Sequence, residues 1–120
     1  MQLKALLLSA GLGTRLRPLT LDIPKCLVEI DNKPILGYWL DQLNKIGCSS
    51  TLVNTHYLSK KVEDYLSNVS YKNMIIETVY ERELLGTAGT ILANKNYFKN
   101  CIGIIMHCDN ISNVNLNNLL

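Results

Sequence analysis

No stretch of this 120-residue sequence stays apolar for the roughly 20 residues that a membrane-spanning helix needs. The first apolar segment, Leu6–Ala10, is too short for the core of a signal peptide, and the Gly/Arg segment behind it is no cleavage region. Charge of one sign is scarce too. Lys plus Arg number 12 and Asp plus Glu number 10, a net +2 without any run of like charges. That removes the basic footprint of a nucleic-acid binder. Nucleic acid and membrane therefore drop out as expected partners. The four cysteines (Cys26, Cys48, Cys101, Cys108) form no CxxC pair, and there are two histidines, which argues against a zinc site. Scattered cysteines without an export signal read as reduced thiols, and the expected location is cytoplasmic. There is no internal repeat and no low-complexity tract; the nearest approach is the Asn-rich end over 110–118.

What is present is an ordinary globular composition, 48% hydrophobic, in a chain whose length suits one domain. Leu3–Ser9 is a short apolar run with one Lys, which predicts a buried strand. A Gly-containing loop follows over Ala10–Arg17. Leu19–Pro24 reads as extended or turn, Cys26–Ile30 as a short strand, and Asp31-Asn32 as a turn. Pro34 is expected to open a helix, where its missing N–H costs nothing. Ile35, Leu36, Trp39, Leu40, Leu43 and Ile46 then recur at three- and four-residue steps as one apolar stripe, and Gly47 stops it. Thr51–Thr55 is a second core strand. Ser59 is expected to cap a helix through Leu66, with Val62, Tyr65 and Leu66 facing inward. Met74–Val79 and Cys101–Met106 complete four strands, separated by a short helix over Thr87–Ala93 that Gly89 weakens.

This alternation predicts an α/β fold with a mostly parallel sheet and helices on both faces. In such sheets ligands bind beyond the carboxyl ends of the strands. Two chemically loaded segments fall there: the loop after the first strand, and Asp109 after the fourth. Val114–Leu120 reads as the start of a helix, so residues 1–120 are expected to be part of a truncated domain.

The loop runs Leu8-Ser9-Ala10-Gly11-Leu12-Gly13-Thr14-Arg15-Leu16-Arg17-Pro18-Leu19-Thr20, with Pro24-Lys25 behind it. Glycines let backbone N–H groups approach an anion, Arg15 offers a guanidinium fork to phosphate oxygens, and Lys25 adds a compact charge. A Rossmann fingerprint needs a third glycine where Leu16 stands, and a Walker A loop needs a Gly-Lys-Ser/Thr that is absent. A bare glycine turn carrying a solvated Arg is the bland alternative. The segment does resemble the signature of the sugar-1-phosphate nucleotidylyltransferases, Gly-x-Gly-Thr-Arg-Leu-x-Pro-Leu-Thr with Pro-Lys shortly after, at every one of those positions.

The resemblance extends over all 120 residues and about the first half of a typical member. It implies a Rossmann-like three-layer αβα fold of the nucleotide-diphospho-sugar transferase type. It implies that Gly11, Gly13, Thr14 and Arg15 wrap the triphosphate, that Lys25 contacts the phosphate at the reacting centre, and that Leu8 and Ala10 present backbone near the base. Glu81–Gly89 resembles the second nucleotide-binding motif of the family, with Gly86 and Thr87 beside the nucleoside and Glu81 at the position that reads the base edge. A carboxylate only accepts hydrogen bonds. Guanine offers N1–H and an amino group where uracil and thymine offer one N–H, so Glu81 leans toward GTP; a solvated helix-end charge is the plainer reading. Asp109 matches the metal-binding aspartate, with Cys108 where a glycine is usual; a cap or turn residue is the plainer reading there. Mg²⁺ is the expected cofactor, and an NTP and a sugar 1-phosphate are the expected substrates. A homo-oligomer stays open. His107 is expected to be structural or ligand-adjacent, and Cys26 a packed thiol. The expected reaction is attack of a sugar-1-phosphate oxygen on the α-phosphorus of the NTP. Two readings compete with it: a non-catalytic nucleotide-binding module, and transfer to a non-sugar phosphate such as phosphocholine.

Overall fold

The structure, a computed structural model, describes residues 1–12 and 17–108. Four strands form one parallel sheet: β1 (Gln2–Leu8), β4 (Ser50–Thr55), β5 (Ile75–Tyr80) and β6 (Cys101–His107), in the order β5-β4-β1-β6. β1 therefore lies inside the sheet, paired Ala5 to Thr51 on one side and Ala5 to Ile104 on the other. The chain lays β4 and then β5 outward from one flank of β1, and returns to place β6 on its other flank. That reversal creates a switch point at the carboxyl ends of β1 and β6, where open parallel sheets bind ligands.

The two faces of the sheet follow from strand alternation. Ala5, Leu7 and Val53 face one way and join a buried cluster with Leu36, Leu40 and Leu43 of helix α1 (Ile35–Lys45) and Val62 and Leu66 of helix α2 (Ser59–Ser67). The predicted stripe is thus the packing stripe, with Ile46 half-buried at its end. Each fully buried leucine in this layer contributes about 1.5–3 kcal/mol of transfer free energy. Lys4, Leu6, Ser50, Leu52 and Asn54 face the other way. That side is covered by helix α3 (Gly86–Ala93) and a 3-10 turn over Lys95–Phe98. Lys4 reaches into this layer without being stranded: its Nζ donates to the Tyr97 carbonyl at 2.9 Å and lies 4.8 Å from that ring. The result is the expected three-layer α/β arrangement.

Local departures from expectation have local causes. Lys25–Leu27 is a 3-10 turn; the extended part is Glu29–Ile30 (β2), paired antiparallel with Lys33–Pro34 (β3). Asp31 and Asn32 join them with φ of 54° and 64°, the left-handed geometry that these two side chains tolerate and that a tight hairpin requires. Pro34 does not open α1. It stays extended, with ψ 144°, because it still pairs with Glu29, and the helix begins one residue later. Ser59 makes no cap; Leu58 stands at the N-cap with φ 52° and no side-chain hydrogen bond covers the first turn. Met74 precedes β5 and is buried instead, accepting from Thr51 Oγ1 at 3.3 Å. Gly47 ends α1 as expected. At φ +83° it lets Cys48 N–H reach the Leu43 carbonyl at 3.0 Å while its own N–H bonds Asn44 at 3.2 Å, the paired closure of a Schellman motif.

Candidate functional site

The carboxyl ends of all four sheet strands meet at one end of the molecule. The chain leaves β1 through Ser9, Ala10 and Gly11, leaves β4 at Asn54 and Thr55, leaves β5 at Glu81, and leaves β6 at Cys108. Pairing persists one step beyond the strands: Cys108 N–H bonds the Leu8 carbonyl at 3.1 Å, and Glu81 N–H bonds the Thr55 carbonyl at 2.7 Å. Those bonds hold the exits of neighbouring strands in register. Between them opens a cavity of about 290 Å³, at the lower edge of the range for small-molecule sites.

Leu8, Ala10 and Gly11 line this cavity from the end of β1, and Lys25 from the first position of its 3-10 turn. Glu81, Gly86 and Thr87 line it from the far side. Segments separated by more than 50 residues in sequence are thereby brought together as the sequence motifs predict. Gly13, Thr14, Arg15 and Asp109 lie outside the described residues. His107 and the buried Cys26 and Cys108 also line the cavity, and Cys26 packs in the core cluster. Gly86, at φ +74°, turns the chain into α3 so that the first turn of that helix adjoins the cavity. A helix N-terminus favours electron-rich groups there.

Asn54 and Thr90 lie outside both motifs, and Ser9 sits inside the loop motif with no role assigned to it; all three line the wall. They form a buried polar network around Glu81, whose residue is only 5% exposed. The Glu81 Oε2 accepts from the Thr90 hydroxyl at 2.5 Å and from Asn54 Nδ2 at 3.1 Å. Oε1 accepts the Leu85 N–H at a longer 3.3 Å. The backbone is held as well: His56 Nδ1 lies 2.7 Å from the Glu81 carbonyl, so this nitrogen carries the proton, and the ring stacks on Tyr80. A buried carboxylate is tolerable only with such partners. The plain reading of Glu81 as a solvated helix-end charge therefore does not survive. Asn54 gives no distinct signal in the sequence, and the burial of its strand along the whole length is seen only in the structure.

A family model described as nucleotidyl transferase matches residues 4–120. Among curated relatives, the UTP–glucose-1-phosphate uridylyltransferase AglF of Haloferax volcanii is 36% identical over 118 residues, covering 98% of this chain and 48% of that protein. The mannose-1-phosphate guanylyltransferase catalytic subunit beta of Drosophila melanogaster is 44% identical over 94 residues, covering 77% of this chain and 25% of its own length. Among solved structures, CTP:phosphocholine cytidylyltransferase from Streptococcus pneumoniae superposes with a TM-score of 0.81 at 30% identity, over 97% of this chain and 49% of that one. The chain thus spans between a quarter and a half of the relatives it matches, and their nucleotides differ: UTP, the guanylyl group and CTP. The family model covers nearly the whole chain, and on that ground the chain belongs to the nucleotidyl transferase family.

Proposed function

We propose that this chain forms the nucleotide-binding part of an enzyme that transfers a nucleoside monophosphate from an NTP to a sugar 1-phosphate and releases pyrophosphate. One observation carries the reading: the first loop residues after β1, Ser9–Gly11, converge with Lys25 and the Glu81–Thr87 segment on one cavity at the carboxyl ends of a parallel sheet. The reaction brings two anionic phosphates together, so neutralising charge is its main demand. Lys25 supplies a cation at the cavity wall. Arg15, in the same loop as Gly11, Gly13 and Thr14, is assigned the departing pyrophosphate. Glu81 is assigned the base edge, with Leu8, Ala10, Gly86 and Thr87 around the nucleoside.

Mg²⁺ is assigned to Asp109 and the phosphates of the nucleotide, an oxygen-only set of the kind that ion prefers. Among the described residues no cluster of three His, Cys, Asp or Glu side chains could hold a metal, and Glu81 is already committed to protein donors. Bound there, the ion would screen phosphate charge. Four free thiols suit a reducing, cytoplasmic setting, and among the described residues no helix is long and apolar enough to cross a membrane.

GTP is the nucleotide that a two-donor base edge at Glu81 favours. The occupancy of Oε2 favours a second reading, a base that offers Glu81 a single N–H, as uracil does. The likeness to a phosphocholine cytidylyltransferase likewise keeps a non-sugar phosphate as a second acceptor. Calorimetric titration of the chain with GTP, dTTP, UTP, CTP and ATP in the presence of Mg²⁺ tests the nucleotide site. Selective binding of one triphosphate that weakens in Glu81→Gln is the expected result. Binding of none, by this chain and by one extended past Leu120, would overturn it.

A further inference from the structure

The Asn54 amide spans two parts of the site that are distant in sequence. Its Oδ1 accepts the Ser9 N–H at 2.7 Å, at the root of the glycine loop, and its Nδ2 donates to Glu81 Oε2 at 3.1 Å. Ser9 Oγ donates back to the Asn54 carbonyl, which locks the loop root to β4. Asn54 is 3% exposed and Thr90, the second donor to Oε2, is 1% exposed. Reversing the amide would set its NH₂ against an N–H and its oxygen against a carboxylate, so one orientation alone satisfies both neighbours. An aspartate would fail at the same place, because its charge would face Glu81.

A carboxylate offers about four acceptor positions. Leu85 takes one on Oε1, while Asn54 and Thr90 fill the two on Oε2. Counting donors among the described residues, one position remains, on Oε1. We propose that Asn54 and Thr90 are positioning residues that set base selectivity by saturating Oε2 of Glu81, so that the pocket reads a single N–H of the incoming base. The inference rests on the reading that Glu81 faces the base. It goes further in saying which groups decide what Glu81 can accept, and in tying that decision through Ser9 to the loop that faces the phosphates.

The consequence is directional. Removing either donor frees a position on Oε2 and gives the carboxylate two open oxygens. A base with two adjacent donors, guanine, then gains relative to one with a single donor, uracil. The GTP-to-UTP affinity ratio should rise about tenfold in Thr90→Ala, which deletes the hydroxyl and leaves its space beside Oε2 open, the change expected for one hydrogen bond to a charged group. It should return to the wild-type value in Thr90→Ser. Asn54→Ala should shift the ratio the same way. A merely structural role would weaken both nucleotides in proportion and leave the ratio unchanged.

The test is calorimetric titration of wild type, Thr90→Ala, Thr90→Ser and Asn54→Ala with GTP and with UTP, with circular dichroism to establish folding. A raised ratio in Thr90→Ala with rescue in Thr90→Ser supports the proposal, whichever nucleotide wild type prefers. A ratio within twofold of wild type in folded Thr90→Ala overturns it and leaves the nucleotide site standing. If Asn54→Ala does not fold, the Thr90 pair decides alone. Wild type that binds neither GTP nor UTP removes the site and the inference together, a result distinct from an unchanged ratio.

Discussion

Lys25 owes its place to the residue before it. Pro24 is extended at ψ 147° and the chain then tightens into a 3-10 turn, which sets Lys25 in the cavity wall. In an intact enzyme Lys25→Ala should lower kcat/KM by about 10²–10³, the usual effect of deleting one preorganised electrostatic contact. Steady-state pyrophosphate release would measure it, and a loss smaller than roughly tenfold would remove Lys25 from the reacting centre. At this scale the motif residues were legible because glycine, lysine and glutamate at fixed spacing have few other uses together. Asn54 and Thr90 were not. Each looks like ordinary filler in its own element, and only the docking of α3 against the end of β4 turns them toward Glu81.

Among the elements, α1 is the most self-specified. Its stripe packs on the sheet and its end is closed by the Gly47 turn. Gly47→Ala should destabilise the chain by about 1 kcal/mol, since alanine at φ +83° is strained although nothing lies within 4 Å of the added Cβ. Urea unfolding should show a lower midpoint with an unchanged slope. A midpoint equal to wild type would mean that the turn relaxes freely. Apolar runs and the α1 stripe located every main helix and sheet strand. The turn at Asp31-Asn32 and the strand ending at Ile30 were legible too, whereas β3 and the 3-10 turns are too short to leave a pattern. The sequence reading went wrong at the start of α2. It placed a cap at Ser59, where the sequence offers a suitable hydroxyl but the left-handed Leu58 sends the chain into α2 another way.

For the molecule as a whole, the buried hydroxyls and thiols set an alkaline limit. Burial pushes the phenols of Tyr65, Tyr71 and Tyr97 and the thiol of Cys48 above their ordinary values. A folded chain that keeps these protons longer than the unfolded one loses stability as pH rises. The contribution is whole below about pH 8, where unfolded thiols begin to ionise, and declines through pH 10 and beyond as the phenols follow. Urea midpoints should therefore fall between pH 8 and pH 10.5, with the ionisation of these tyrosines, seen by ultraviolet absorbance, delayed until unfolding. A midpoint that holds steady across that range would mean that these groups are solvated. The fold class was legible from the order of elements alone, because parallel strands need helical crossovers.

The strand order carries a kinetic implication. β1 precedes the other strands of the sheet, yet it sits between β4 and β6, so neither of its edges can be covered until the chain has been synthesised through β4 and then through β6. Contacts this distant in sequence close slowly, and during translation the apolar Leu6 and Leu7 wait at an open edge. The strand that roots the glycine loop is therefore the one most in need of protection on the ribosome, and its second edge closes only with the arrival of β6.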